Sequence, residues 1–158
     1  MIIESKELKV IKDFYKEATA KRSGLPLMNH IHEGIMILKA LDASDLAIKA
    51  FCIHPIVQNN IKIDLSWSSA LLLAQEYSKK ANSYLCRSEN DWIRTVKDLD
   101  KVVGNMSEDC RLMLLADKYQ NQKDFRIHHL PSHKRSEHLE RYFNLWIDYL
   151  KSLREVPV

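Results

Sequence analysis

Glycine and proline are scarce in this chain, and their scarcity limits the folds that it can adopt. Only three glycines and four prolines occur among its 158 residues. These two residue types supply most tight turns, because glycine tolerates positive φ angles and proline presets a bend. A chain with so little turn material is poorly suited to a series of β-hairpins. We therefore expect long helices.

Apolar residues recur at helical spacing along most of the chain. In the first segment Leu8, Ile11 and Tyr15 follow the three-and-four spacing of an amphipathic helix. The same spacing predicts helices over about residues 4–21, 28–41, 44–54, 66–84, 91–103, 110–121 and 135–153. The length suits one domain with a sizeable core. The predicted fold is an all-α, compact bundle of about six to eight helices, with residues 1–158 forming a single domain.

Polar residues and a proline mark the expected helix ends. Ser44 or Asp42 can cap the third helix, and Asp64 or Ser66 can cap the fourth. The third helix is expected to end at Pro55, because proline lacks the amide hydrogen that continues a helix. Residues 56–63 alternate weakly between apolar and polar, which would suit a short strand, but we prefer an irregular loop.

Charge and cysteine usage narrow the class of protein. The net charge of +3 permits an anionic ligand but does not indicate a nucleic-acid surface. Cys52, Cys86 and Cys110 are odd in number and lack CxxC spacing, so they are interpreted as reduced thiols. The first residues do not resemble a signal peptide, and no stretch is apolar enough for a membrane span. We expect a soluble, cytoplasmic protein without membrane or specific nucleic-acid partners.

Two histidines and an aspartate stand out because each emerges from an apolar helical stretch. His54 follows the apolar run of residues 50–53, His30 lies in the second predicted helix, and Asp117 lies in the sixth. A single histidine of this kind is either a core residue with one hydrogen bond or a metal ligand. Two histidines and a carboxylate from different helices suit a borderline divalent metal such as zinc, manganese or iron.

The same residues carry a resemblance to a known family. The sequence Arg22-Ser23-Gly24-x-Pro26-x-x-x-His30, then His54 at a helix end, then Leu115-Ala116-Asp117-Lys118-x-x-Asn121 occur in this order. This order resembles the HD-domain phosphohydrolase superfamily, above all the hydrolase domain of the RelA/SpoT-type alarmone enzymes and their small single-domain relatives. The resemblance covers roughly residues 5–150.

The resemblance implies a function and a cofactor. Family members hold a divalent cation, usually manganese, and remove the 3′-pyrophosphate of guanosine tetraphosphate or pentaphosphate. Manganese is accordingly the expected cofactor, with zinc, iron and magnesium as alternatives and no metal if the site is degenerate. The expected partner is a purine nucleotide with pyrophosphate groups, and a homo-oligomer is left open. Such a small domain would fit a stress-response or phage–host setting.

Each family role is carried over to the matching position. His30, His54 and Asp117 match metal ligands. Arg22 matches the residue whose guanidinium stacks on the purine, a contact that arginine makes well. Lys118, which stands where the family usually has arginine, offers a point charge to phosphate.

Asn121 completes the nucleotide-binding residues, and three other positions depart from the family pattern. Asn121 matches a polar residue near the ribose and phosphate. Pro55 stands in place of a metal-binding aspartate and has no side-chain ligand atom. Gln58 and Asn59 stand in place of the acidic pair thought to position or activate the attacking water. As amides they can orient a water molecule but cannot take its proton at neutral pH.

These departures leave alternatives open. Glu33, three residues after His30, is either a replacement ligand or an ion-paired surface carboxylate, whereas His32 points to the opposite side of the helix. The protein is either a metal-dependent phosphohydrolase or a catalytically impaired relative that binds or sequesters a purine nucleotide. The third hypothesis is an interaction protein built on the same scaffold.

Overall fold

Seven helices account for most of the chain that the structure describes. The computed structural model describes residues 4–21, 23–82, 96–128 and 136–154. Their helices are α1 Lys6–Tyr15, α2 Met28–Ala40, α3 Asp45–Gln58, α4 Leu71–Asn82, α5 Val96–Val103, α6 Glu108–His128 and α7 Ser136–Ser152. Within these ranges there is no strand, only one isolated antiparallel bridge between Thr19 and Pro26. The prediction of an all-α bundle of six to eight helices is confirmed.

Helix α3 lies at the centre of the bundle. It packs against α1, α2, α4 and α6, and α6 in turn packs against α2, α4 and α7. Residues 50–56 of α3 are buried without interruption. A helix that is apolar on all sides belongs in the middle of a core rather than at its surface. The apolar run before His54 therefore carries that histidine into the interior.

Serine caps begin three of the helices. The hydroxyls of Ser5, Ser44 and Ser107 accept hydrogen bonds from backbone N–H groups in the first turns of α1, α3 and α6. Each bond satisfies a donor that has no partner inside the helix. Of the two predicted caps for α3, Ser44 is the one used. Asp42 instead takes a positive φ of 54° in the preceding turn.

Several predicted boundaries are wrong. Helix α3 does not end at Pro55 but continues to Gln58, because packing on several sides supports its last turn. Neither Asp64 nor Ser66 caps α4; the Asp64 carboxylate accepts from the Ser66 backbone N–H and hydroxyl in a local turn, and α4 begins at Leu71.

Other helix lengths also differ from their predictions. Helix α1 ends at Tyr15 rather than near residue 21, and α6 continues beyond residue 121 to His128.

None of the described helices combines the length and the apolar character needed to cross a lipid bilayer.

Two of the cysteines are buried thiols. Cys52 and Cys110 are free and almost fully enclosed. Burial, followed by the charges of nearby carboxylates, raises the pKa of each thiol to about 12. Because the thiolate is the reactive form, such groups react slowly.

We expect a Cys86→Ser variant, which keeps only Cys52 and Cys110, to show no fast-reacting thiol when folded. Titration with Ellman's reagent should detect two thiols only after unfolding in guanidinium chloride. Rapid labelling of the folded variant would contradict the enclosed positions.

Candidate metal centre

Three helices bring His30, His54 and Asp117 together in the core. They come from α2, α3 and α6, and one ligand atom from each lies within 4.8 Å of the other two. Among the described residues this is the only group of three or more histidine, cysteine or acidic side chains with such geometry. These are the three residues that the sequence singled out as metal ligands. The structure therefore contains a possible His/His/Asp metal-binding group.

A glycine on α2 allows the two histidine-bearing helices to approach. A Cβ atom at Gly34 would lie 2.1 Å from Cε1 and 2.2 Å from Cζ of Phe51, far inside van der Waals contact. The Phe51 ring fills this space and lies next to both histidine rings, with centroid distances of 5.4 Å to His30 and 4.5 Å to His54. The absence of a side chain at position 34 thus sets the separation of α2 and α3.

His54 is held in one orientation by its neighbours. Its Nδ1 atom is hydrogen-bonded to the backbone carbonyl oxygen of Phe51, which accepts the ring N–H. Its ring packs against that of Tyr77 in a T-shaped arrangement, at a centroid distance of 5.2 Å. Burial, followed by the proximity of His30, lowers the pKa of His54 to about 4. At neutral pH the ring is therefore uncharged, with Nε2 as its unprotonated nitrogen.

His30 faces Asp117 on one side and Gln120 on the other. Its Nε2 atom lies 3.1 Å from Asp117 Oδ1, and its Nδ1 atom is hydrogen-bonded to Gln120 Oε1. The amide nitrogen of Gln120 donates to Glu33 at 3.1 Å and to Asp124 at 2.7 Å. These bonds orient the Gln120 amide with its oxygen toward His30, so Nε2 is the nitrogen that faces the cluster.

The charge of Asp117 dominates the electrostatics of the cluster. Burial alone would raise the pKa of this carboxyl and lower that of His30. The contact between the two reverses both effects: the pKa of His30 rises, and the pKa of Asp117, lowered further by the nearby charge of Lys118, falls well below its usual range. Tyr77 also hydrogen-bonds Asp117, and burial followed by this carboxylate raises the pKa of Tyr77 well above its usual value. Its hydroxyl therefore stays protonated and donates to Asp117.

The ligand types of the donor set, and one of the distances within it, suit a divalent metal. Two ligand atoms about 2.1 Å from one metal ion are about 3.0–3.4 Å apart at angles between octahedral and tetrahedral, and His30 Nε2 lies 3.1 Å from Asp117 Oδ1. Each ligand has a separate hydrogen-bond partner: Gln120 for His30, the Phe51 carbonyl for His54 and Tyr77 for Asp117. Such outer partners orient ligands in known metal sites.

Lys118 does not project into solvent. The residue is 5% exposed, and its Nζ atom donates to the Tyr142 hydroxyl at 2.9 Å. The ammonium also lies over the rings of Tyr142 and Trp146, and 4.0 Å from Asp117 Oδ2. The structure thus places this charge at the α6–α7 interface, beside the cluster. Its predicted contact with phosphate remains a prediction.

The other residues carried over from the family lie on α6, at the end of α3, or outside the described part. Asn121 is half-buried on α6, one helical turn beyond Asp117. Gln58 is half-buried one turn beyond His54, whereas exposed Asn59 donates from its amide to the Pro55 carbonyl oxygen at 2.7 Å. Arg22 lies outside the described residues. Their nucleotide-binding and catalytic roles remain predictions.

Glu33 is not one of the clustered ligands. Its carboxylate pairs with Lys123 at 2.5 Å and accepts a hydrogen bond from Gln120. Of the two alternatives for Glu33, the ion-paired carboxylate is therefore the one observed. His32 is exposed on the other side of α2, as the helical spacing predicted.

Sequence reasoning missed Gln120 and Tyr77. Gln120 is fully buried three residues after Asp117. A polar residue at that spacing shares a helix face with Asp117, so the spacing could have identified Gln120 from the sequence.

In comparisons with protein-family models, with curated proteins and with solved structures, nothing matches this chain.

Proposed function

We propose that this protein is a metal-dependent phosphohydrolase that acts on a purine nucleotide carrying pyrophosphate groups, such as guanosine tetraphosphate or pentaphosphate. The observation that carries the proposal is the convergence of His30, His54 and Asp117 from three helices. Buried groups of this kind are costly unless they are paired or bind a metal. The nucleotide class comes from the resemblance to the alarmone hydrolases.

The charges of the centre favour an anionic substrate once a cation is bound. Asp117 contributes one negative charge, Lys118 contributes one positive charge, and His54 is neutral. With His30 also neutral as a ligand, these side chains sum to zero, and a divalent cation leaves the full charge of +2. That charge lies in a low-dielectric environment, where its attraction for phosphate oxygens is strong.

The protein groups bind and orient rather than transfer protons. His30, His54 and Asp117 would hold the cation, and their outer partners would keep each donor atom directed at it. When bound, the cation supplies Lewis acidity that polarises phosphate and makes water more acidic. Gln58, one turn beyond His54, is the residue that we assign to orienting a water molecule. Asn121, one turn beyond Asp117, is available to hydrogen-bond the ribose or phosphate.

The test is incubation of the protein with Mn²⁺ and a panel of purine nucleotides that includes guanosine tetraphosphate, followed by anion-exchange chromatography. We expect product in excess of the protein concentration, and the released fragment identifies the bond that is cleaved. Chelation of Mn²⁺ should stop the reaction. The same reaction with an Asp117→Asn preparation excludes a contaminating phosphatase. Full recovery of every nucleotide at high protein concentration would refute hydrolysis.

A second candidate function is the sequestration of the nucleotide without turnover. It is favoured by the absence of a fourth clustered carboxylate or histidine among the described residues, together with the contact of Asn59 with its own helix. A binder should protect its ligand and co-elute with it in a one-to-one complex. Product beyond one equivalent separates the enzyme from this alternative.

A further inference from the structure

The proline that follows His54 leaves a carbonyl oxygen without its usual helical donor. In an α-helix the N–H of each residue donates to the carbonyl four residues earlier. Position 55 would therefore donate to Phe51, but Pro55 has no N–H. Phe51 is fully buried, so solvent cannot supply the missing donor. Buried carbonyls without a partner are rare in folded proteins.

The carbonyl of Phe51 is instead used by His54. The ring Nδ1–H of His54 donates to this oxygen, within the same turn of α3. A ring that carries its proton on Nδ1 has an unprotonated Nε2, and only an unprotonated nitrogen can bind a metal. Nδ1 is occupied by the carbonyl, so Nε2 is the atom that His54 offers to the cluster with His30 and Asp117.

We propose that Pro55 is a positioning residue for the metal centre: by withdrawing the backbone donor from the Phe51 carbonyl, it reserves that oxygen for His54 and holds His54 in the Nδ1–H tautomer. The inference rests on the proposed metal centre. In the family pattern this position carries a metal-binding aspartate. Under the present proposal Pro55 serves the same site in another way, by orienting His54. The negative charge of the family's aspartate is lost, but His54 is held more firmly in one orientation.

A Pro55→Ala variant tests this role. Alanine restores an N–H that competes for the Phe51 oxygen, and it is a good helix former, so α3 should be retained. The control is Val57→Ala, which trims an apolar side chain in the same turn and leaves the donor to Phe51 unchanged. Two-bond ¹H–¹⁵N spectra of metal-free, ¹⁵N-histidine-labelled protein report which ring nitrogen carries the proton. Loss of peaks in a His54→Gln variant assigns the His54 signals.

We expect wild type and Val57→Ala to show His54 protonated on Nδ1. We expect Pro55→Ala to show a mixture of tautomers or the Nε2–H form. Calorimetric titration should give Mn²⁺ affinity about 10-fold weaker for Pro55→Ala, the size of effect seen when an outer partner of a ligand is lost. The control should bind Mn²⁺ as wild type does.

Each other outcome overturns a defined claim. An unchanged His54 tautomer in Pro55→Ala refutes the role of Pro55, as does an altered tautomer with wild-type Mn²⁺ affinity. A wild-type ring protonated on Nε2 refutes it as well. If wild type binds no Mn²⁺, the proposed function fails, and the positioning role for a metal fails with it; the tautomer of Pro55→Ala then reports only whether the proline controls the ring.

Discussion

We expect the Asp117→Asn substitution to lower the affinity for Mn²⁺ by at least about 100-fold, because it removes the only anionic ligand of the His30–His54–Asp117 cluster. Asparagine has nearly the same shape, so the packing around position 117 should be retained, although its amide nitrogen donates where a carboxylate oxygen accepts. What is lost is the negative charge that attracts a divalent cation. Titration calorimetry and elemental analysis of dialysed protein measure the change.

The matched control removes the same charge from an exposed position. Asp148→Asn on α7 changes an exposed carboxylate to an amide and should leave Mn²⁺ affinity at the wild-type value. Far-UV circular dichroism checks that Asp117→Asn remains helical. Equal metal content in Asp117→Asn and wild type would show that the cluster is not the binding site.

We expect the Gly34→Ala substitution to destabilise the protein, although alanine is the better helix former. The added Cβ would lie 2.1 Å from a Phe51 ring atom, and the ring is itself enclosed between His30 and His54. Overpacking of this kind costs up to about 3 kcal/mol. The gain in helix propensity offsets about 1 kcal/mol, which leaves a net loss of about 2 kcal/mol. For a chain of this size the melting temperature should fall by about 6 °C, measured by thermal unfolding.

A double-mutant cycle with Phe51→Leu tests the cause. Leucine lacks the Cε1 and Cζ atoms that a Cβ at position 34 would meet. In the Phe51→Leu background, Gly34→Ala should therefore be neutral or stabilising, and the coupling free energy between the two positions should be at least about 2 kcal/mol. Additive effects of the two substitutions would mean that the Gly34–Phe51 contact does not limit the packing of α2 on α3.

The sequence was a good guide to what neighbouring residues determine together. The three-and-four spacing of apolar residues predicted the helical class, and Ser44, one of two candidate caps, marked the beginning of α3. Local rules failed where packing outweighed them. Pro55 predicts the end of a helix, yet α3 continues one turn further because its last residues remain supported by the core.

For the candidate site, too, the sequence indicated some features and not others. His30, His54 and Asp117 were recognisable from their apolar settings and from the order of the motifs, and the structure brings them together. The orientation of Lys118 was not recognisable. Its side chain turns toward Tyr142 on α7, a contact that depends on how α6 and α7 pack.

The sequence by itself determined that the chain is helical and which three side chains have the chemistry to bind a metal. Both properties are local, since helical periodicity and ligand type are features of individual segments. Only the tertiary structure decided that Gln120 orients His30, that Tyr77 reaches Asp117 and that Gly34 admits the Phe51 ring. Apolar spacing indicates which face of a helix is buried, but not which helix covers it or how closely the two approach. Those contacts depend on the packing of the whole bundle.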